Sequence, residues 1–155
     1  KLPAGLICMS PWTDLTQSGA SYDFNYERDP LFGNTRDSLI YSKDYIQDED
    51  PTNPYISPLY GNFSGFPPML IQEMLLSDSE LVAEKAKRAG CKVRLSVYEG
   101  MFHIFQMAML MIPESKHAWQ EIGRFLDIME HHLPAEHLDE EDKEIESKFG
   151  EVEYE

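Results

Sequence analysis

Basic side chains are scarce in this sequence: 13 Lys and Arg stand against 28 Asp and Glu, a formal net charge of −15. Nucleic acid and anionic membrane surfaces both call for a basic patch, so the charge argues against the first and gives no strong signal for the second. No apolar run approaches the ~20 residues that cross a bilayer. Cysteine is limited to Cys8 and Cys91, each in an apolar, strand-like stretch without metal-ligand spacing. Buried free thiols in a reducing compartment, the cytoplasm, are expected rather than a disulfide. The five histidines, with the pair His131-His132, meet no cysteine or carboxylate constellation, so no metal is expected. Lys1 is not an initiator methionine and no signal-peptide pattern follows it, so the chain is expected to begin inside a longer protein. No serine stands in a Gly-x-Ser-x-Gly elbow, so no nucleophile is visible.

What is present suits one globular domain. The 155 residues are 42% hydrophobic and 26% charged, and a chain of this size buries roughly 70% of its unfolded surface. The acidic excess is uneven. Residues 134–155 hold ten Asp or Glu against two Lys, the composition of a solvated, poorly ordered tail, so the domain is expected over residues 1–133.

The hydrophobic pattern predicts an α/β order. Gly5-Leu6-Ile7-Cys8-Met9 is a continuous apolar run ended by Ser10-Pro11, and a run without alternation suits a strand covered on both faces. Residues 12–67 are rich in turn signals such as Asp29-Pro30 and Gly61-Asn62, with one helix expected over residues 36–46. Met69-Leu70-Ile71 reads as a second buried strand. Ser77-Asp78-Ser79-Glu80 then fits a capping box, flanked by Leu76 and Leu81 as a hydrophobic staple. That helix is expected to run to Gly90, with Lys85, Lys87 and Arg88 against its negative end. Lys92-Val93-Arg94-Leu95-Ser96-Val97-Tyr98 alternates, as an edge strand with one wet face would. A last helix starts near Pro113-Glu114, with Trp119, Ile122, Phe125, Leu126 and Met129 as its apolar stripe. Strands separated by crossovers and helices imply a parallel sheet with helices packed on it.

Ligands in such folds sit outside the carboxyl ends of the strands. Residues 10–14, 72–74 and 99–106 reach that edge. His103 follows the last strand through Gly100 and can serve as a general base, though a loop histidine is as readily a hydrogen-bonded bystander. Glu73 after the second strand is open to the same two readings. Asp78 reads as a first-turn acid facing the helix dipole, and Asp14 as a turn residue bonding backbone amides.

Several motifs occur in a characteristic order. Leu2-Pro3-Ala4-Gly5 through Ser10-Pro11-Trp12-Thr13-Asp14-Leu15-Thr16 is followed by Asp29-Pro30-Leu31 and Tyr55-Ile56-Ser57-Pro58-Leu59-Tyr60. Next come Phe66-Pro67-Pro68-Met69-Leu70-Ile71-Gln72 and Leu75-Leu76-Ser77-Asp78-Ser79, and last Tyr98-Glu99-Gly100-Met101-Phe102-His103-Ile104-Phe105-Gln106. From residue 2 to about 127 the sequence resembles the C-terminal part of the hormone-sensitive-lipase-like esterases, which have the α/β-hydrolase fold. The resemblance implies the C-terminal portion of that fold, with parallel strands and packed helices and truncated on its N-terminal side. It implies that His103 is the triad histidine and Glu73 the triad acid; Met101, Phe102, Ile104 and Phe105 then either wall an acyl pocket or, for some of them, pack into the core. The family's oxyanion His-Gly-Gly and serine elbow precede the matched region. Its strand-to-acid connection is also a few residues longer than the direct step from Gln72 to Glu73 seen here.

The activity so implied is carboxylic ester hydrolysis through an acyl-enzyme, without a cofactor, on a small-molecule ester. The nucleophile and oxyanion donors would come from the missing half, so these 155 residues alone are expected to be inactive. A non-catalytic ligand-binding or structural module on the same fold is the alternative, since fold does not fix function. The first strand is expected to need a neighbour on each side; without one, a homodimer, aggregation or association with the missing N-terminal half is expected.

Overall fold

The computed structural model describes residues 2–19, 21, 43–73, 76–109 and 111–138. Three strands, β1 (Leu6–Met9), β2 (Met69–Glu73) and β3 (Val93–Val97), form one sheet in the order β1-β2-β3. Both pairings are parallel: Leu6 lies opposite Met69 and Met9 opposite Gln72, while Met69 lies opposite Val93 and Glu73 opposite Val97. Helices α1 (Leu76–Arg88) and α2 (Pro113–Glu130) follow β2 and β3. The expected α/β order is the observed one. Of the helix expected over residues 36–46, residues 43–46 are helical and the rest lies outside the described residues, as do Asp29-Pro30-Leu31 and residues 139–155.

All five residues of β2 are buried, because a helix covers each face of this central strand. Met69 and Ile71 pack with Val82, Ala83 and Ala86 of α1 and with Val93. Leu70 points the other way, to Ile122, Phe125 and Ile128 of α2. The period-2 alternation of a strand thus divides one apolar run between two cores. Gly5, just before β1, lets α2 come close: a Cβ there would stand 2.7 Å from Phe125 Cζ.

Three local expectations are corrected and one is extended. α1 begins at Leu76, so Ser77 lies inside its first turn and its hydroxyl meets that of Ser21 instead of capping the helix. Lys85 does more than oppose the dipole: its ammonium donates to the Leu59 carbonyl at 2.7 Å. The polar face of β3 is less wet than expected: Lys92 is exposed, but Arg94 and Ser96 are half-buried against α2. On α2 the buried stripe is Ser115, Ala118, Glu121, Ile122, Phe125 and Ile128, while Trp119 is 40% exposed and Leu126 52%. A polar residue on the inner face, Glu121, rotates the stripe away from the purely apolar one. The C-terminus of α1 closes as its Gly90 implies. With Gly90 at φ +86°, the Cys91 N–H donates to the Ala86 carbonyl and the Gly90 N–H to that of Lys87, both at 3.0 Å, the paired bonds of a Schellman motif. Packing continues past residue 133, since the short 3-10 turn Ala135–Leu138 buries Leu138 against the α2 core.

Candidate active site

Parallel strands bring their carboxyl ends to one edge, and the chain leaving β1, β2 and β3 there carries Ser10, Glu73 and the 98–106 loop. Ser10 turns the chain sharply at φ +44°, and its N–H donates to the Gln72 carbonyl at 2.7 Å. Its Oγ accepts the Ile104 N–H at 3.2 Å, which fastens the residue after His103 to the end of β1. On the other side of His103 the Phe102 carbonyl accepts the Phe105 N–H at 3.0 Å. Gly100 permits the turn into this loop at φ +75°, a left-handed conformation that favours glycine. His103 itself is half-buried.

Glu73 is fully buried at the end of β2. Its backbone carbonyl accepts the Tyr98 N–H at 2.9 Å, and its carboxylate accepts the Ser79 hydroxyl of α1. Two residues separate it from α1, both outside the described set. Of the four residues expected to wall a pocket, Met101 and Phe102 are half-buried and Ile104 is exposed beside His103. Phe105 is fully buried, with its ring 4.7 Å from that of Tyr98, so its apolar surface goes into packing.

Sequence reasoning missed the polar layer behind the His103 loop. Glu121 of α2 is 4% exposed. Its Oε1 accepts Arg94 Nε (3.0 Å), Arg94 Nη2 (2.7 Å) and Ser96 Oγ (2.7 Å). Its Oε2 accepts Gln72 Nε2 (2.9 Å) and the Tyr98 hydroxyl (2.7 Å). Burial pushes this carboxyl upward, but the bonds from Ser96, Tyr98 and Arg94 and the guanidinium charge outweigh it and hold the pKa below the ordinary value. Gln106 Nε2 reaches Gln72 Oε1 at 3.4 Å, and the Gln106 carbonyl accepts Ser115 Oγ and Trp119 Nε1. One signal was available: a carboxylate in register with a buried helical stripe, opposite an arginine on an alternating strand.

A second knot joins the motifs that drew the family resemblance. Asp78 Oδ2 accepts the backbone N–H groups of Thr13 and Asp14, both at 2.9 Å. Ser57 Oγ accepts the Leu15 N–H at 2.9 Å, and the Thr13 carbonyl accepts the Leu59 N–H at 3.0 Å. Asp14 caps its own turn as expected, accepting from Thr16 and Ser18. Among the described residues no group of three or more His, Cys, Asp or Glu could hold a metal ion. None of the described helices is long and apolar enough to cross a membrane.

A parallel sheet whose central strand is covered on both faces, with a histidine loop and a buried acid at its carboxyl edge, defines an α/β-hydrolase arrangement. A family model described as the alpha/beta hydrolase fold matches residues 1–107, and the chain belongs to that family. Within it, the hormone-sensitive-lipase-like esterases are the group it resembles. An esterase of Acinetobacter venetianus is 40% identical over 130 residues, covering 80% of this chain and 42% of that protein. An acetyl-hydrolase of Streptomyces hygroscopicus is 35% identical, covering 81% of this chain and 43% of that protein. Among solved structures, a hormone-sensitive lipase from a metagenome library superposes with a TM-score of 0.77 at 38% identity, over 83% of this chain and 45% of that one. The chain thus spans less than half the length of the relatives it matches.

Proposed function

We propose that this chain supplies the histidine-bearing part of a carboxylic ester hydrolase. The observation that carries the reading is the convergence of Ser10, Glu73 and the His103 loop on the carboxyl edge of one parallel sheet, in a chain whose relatives are esterases and acetyl-hydrolases. A serine outside these 155 residues attacks the ester carbonyl as His103 takes its proton. His103 then returns the proton to the departing alcohol, and afterwards activates water against the acyl-enzyme. Glu73 orients the imidazole and stabilises its charged form. The oxyanion donors come from outside the chain. Met101, Phe102 and Ile104 flank the acyl group of a small-molecule ester. Among the described residues β1 pairs only with β2, so its other edge is where the serine-bearing part, or a second copy, would add strands. The two free cysteines support a reducing, cytoplasmic setting.

The test compares three proteins on a chromogenic short-chain ester: a full-length protein with the serine-bearing part, its His103→Ala variant, and the 155-residue chain alone. Hydrolysis is expected from the first and only background from the other two. Undiminished turnover in His103→Ala would overturn the assignment. The reading of a non-catalytic module draws on the complete burial of Glu73 and its bond to Ser79; it would be upheld by an inactive full-length protein that binds esters.

A further inference from the structure

We infer that Glu121 is a positioning residue for His103, acting through both stems of the loop that carries it; the inference rests on the catalytic reading of His103 given above. The loop leaves β3 at Tyr98 and enters the 3-10 turn Phe105–Ala108. At the first stem the Tyr98 hydroxyl donates directly to Glu121 Oε2 at 2.7 Å. At the second, Gln106 bonds Gln72, and Gln72 donates to the same Oε2 at 2.9 Å. The Tyr98 ring also packs on Phe105, so the two stems touch each other as well as meeting through the shared carboxylate, directly at Tyr98 and through Gln72 at Gln106.

The remaining bonds to Glu121 fix its own position. Arg94 and Ser96 of β3 hold Oε1, so the carboxylate is clamped from one side while it clamps the loop from the other. A buried carboxylate with five donors has no freedom to swing, and charge-assisted bonds are about twice as strong as neutral ones. Between the stems the Met101 N–H donates to the Tyr98 carbonyl at 3.4 Å and the Phe105 N–H to the Phe102 carbonyl at 3.0 Å. A left-handed Gly100 starts the loop and a left-handed Ile104 follows His103, with the Ser10 hydroxyl holding the Ile104 N–H. Acyl transfer asks the imidazole to stay within hydrogen-bond reach of a serine and its leaving group through two steps, and small misplacements are costly. Glu121 provides that constraint without touching substrate.

The experiment uses the full-length serine-containing protein, with Tyr98→Phe, Glu121→Gln and, as a control, Gly5→Ala. Gly5→Ala disturbs the same helix through Phe125 and touches neither stem. Turnover on a short-chain ester and the line width of the His103 ring signal in 13C-labelled protein are read together, with thermal midpoints alongside. Expected is a fall in kcat of about tenfold for Tyr98→Phe and about a hundredfold for Glu121→Gln, with KM little changed and the His103 signal broadened or shifted. Gly5→Ala should lower the midpoint and leave both readouts in place. If Glu121→Gln fails to fold, Tyr98→Phe decides. The inference is overturned if Tyr98→Phe keeps wild-type kcat and His103 signal, or if Gly5→Ala lowers kcat as much at an equal loss of midpoint. A wild-type protein without esterase activity would instead sink the catalytic reading, and the His103 signal would still report whether the loop is held.

Discussion

Asp78 and Asp14 are buried side by side, yet each carboxylate has its own donors. Asp78 Oδ2 accepts the Asp14 backbone N–H at 2.9 Å and that of Thr13 at the same distance. The Asp14 carboxylate turns to Thr16 and Ser18 instead. The first turn of α1 is thereby stitched to the chain leaving β1, which places Ser10 and its bond to the His103 loop.

Removing that stitch should be expensive. Asp78→Ala leaves two buried backbone N–H groups without their acceptor, a loss of about 3 kcal/mol at ~1–3 kcal/mol per unsatisfied group. Asp78→Asn keeps an acceptor oxygen and should cost about 1 kcal/mol. Urea denaturation measures both. A change below about 0.5 kcal/mol for the alanine variant would show that the stitch contributes nothing to stability.

Gly5 tests the opposite kind of constraint, a lack of space. Its Cβ would sit 2.7 and 2.8 Å from the Phe125 ring and 3.1 Å from Met129 Cγ. Phe125 is buried and cannot swing aside freely. Gly5→Ala should therefore destabilise by about 1–3 kcal/mol, as overpacking does. Pairing it with Phe125→Leu should recover part of the loss, and a double-mutant cycle in urea would show the coupling.

These two sites also mark what could be read from the sequence. Met69-Leu70-Ile71 lacks alternation, and that alone implied a strand covered on both faces, as β2 is. Leu6-Ile7-Cys8-Met9 carried the same signal, yet Leu6, Ile7 and Cys8 are only half-buried and Met9 is exposed. Gly90 after a helical stretch implied its stop. Where one polar residue faces inward, the pattern misled. Glu121 counts as solvent-facing by type, so the α2 stripe was shifted to include Trp119 and Leu126, which lie exposed. Arg94 and Ser96 made β3 look half-wet for the same reason. Asp78 was legible as a first-turn acid, but its partners stand 65 and 64 positions away in the chain, a distance no local pattern spans. His103 and Glu73 could be placed at the right edge by topology; their roles came from the family resemblance.

Thiol chemistry offers a check on the α1 core, which both cysteines join. Cys91 is buried and its Sγ donates to the Phe63 carbonyl at 2.9 Å, while Cys8 is half-buried with its thiol pushed above the ordinary value by burial. The thiolate is the reactive form, so Cys8 should resist alkylation at neutral pH, and burial shields Cys91 from the reagent. Iodoacetamide followed by mass spectrometry should label Cys8 slowly and Cys91 more slowly still, with both labelled at once in guanidinium. Rapid labelling of Cys91 without denaturant would show that the α1 core opens.

Acid should act on Glu121 and Asp14. Both have folded pKa values below the ordinary 4.5 and 3.8, since the bonds they accept outweigh their burial. A lowered folded pKa means that the unfolded chain binds more protons in the window between the two values. Their contribution is therefore fully present above the unfolded pKa and is lost as pH falls through the folded one. The thermal midpoint should hold from neutrality to about pH 5 and drop below it. Glu121→Gln should be less stable at neutral pH, by about 3 kcal/mol, because half-buried Arg94 loses the charge of Glu121. The same variant should show a shallower acid decline, because one group with a lowered folded pKa is gone. An equally steep decline in the variant would place the acid sensitivity elsewhere, and Asp14→Asn would then be the next chain to titrate.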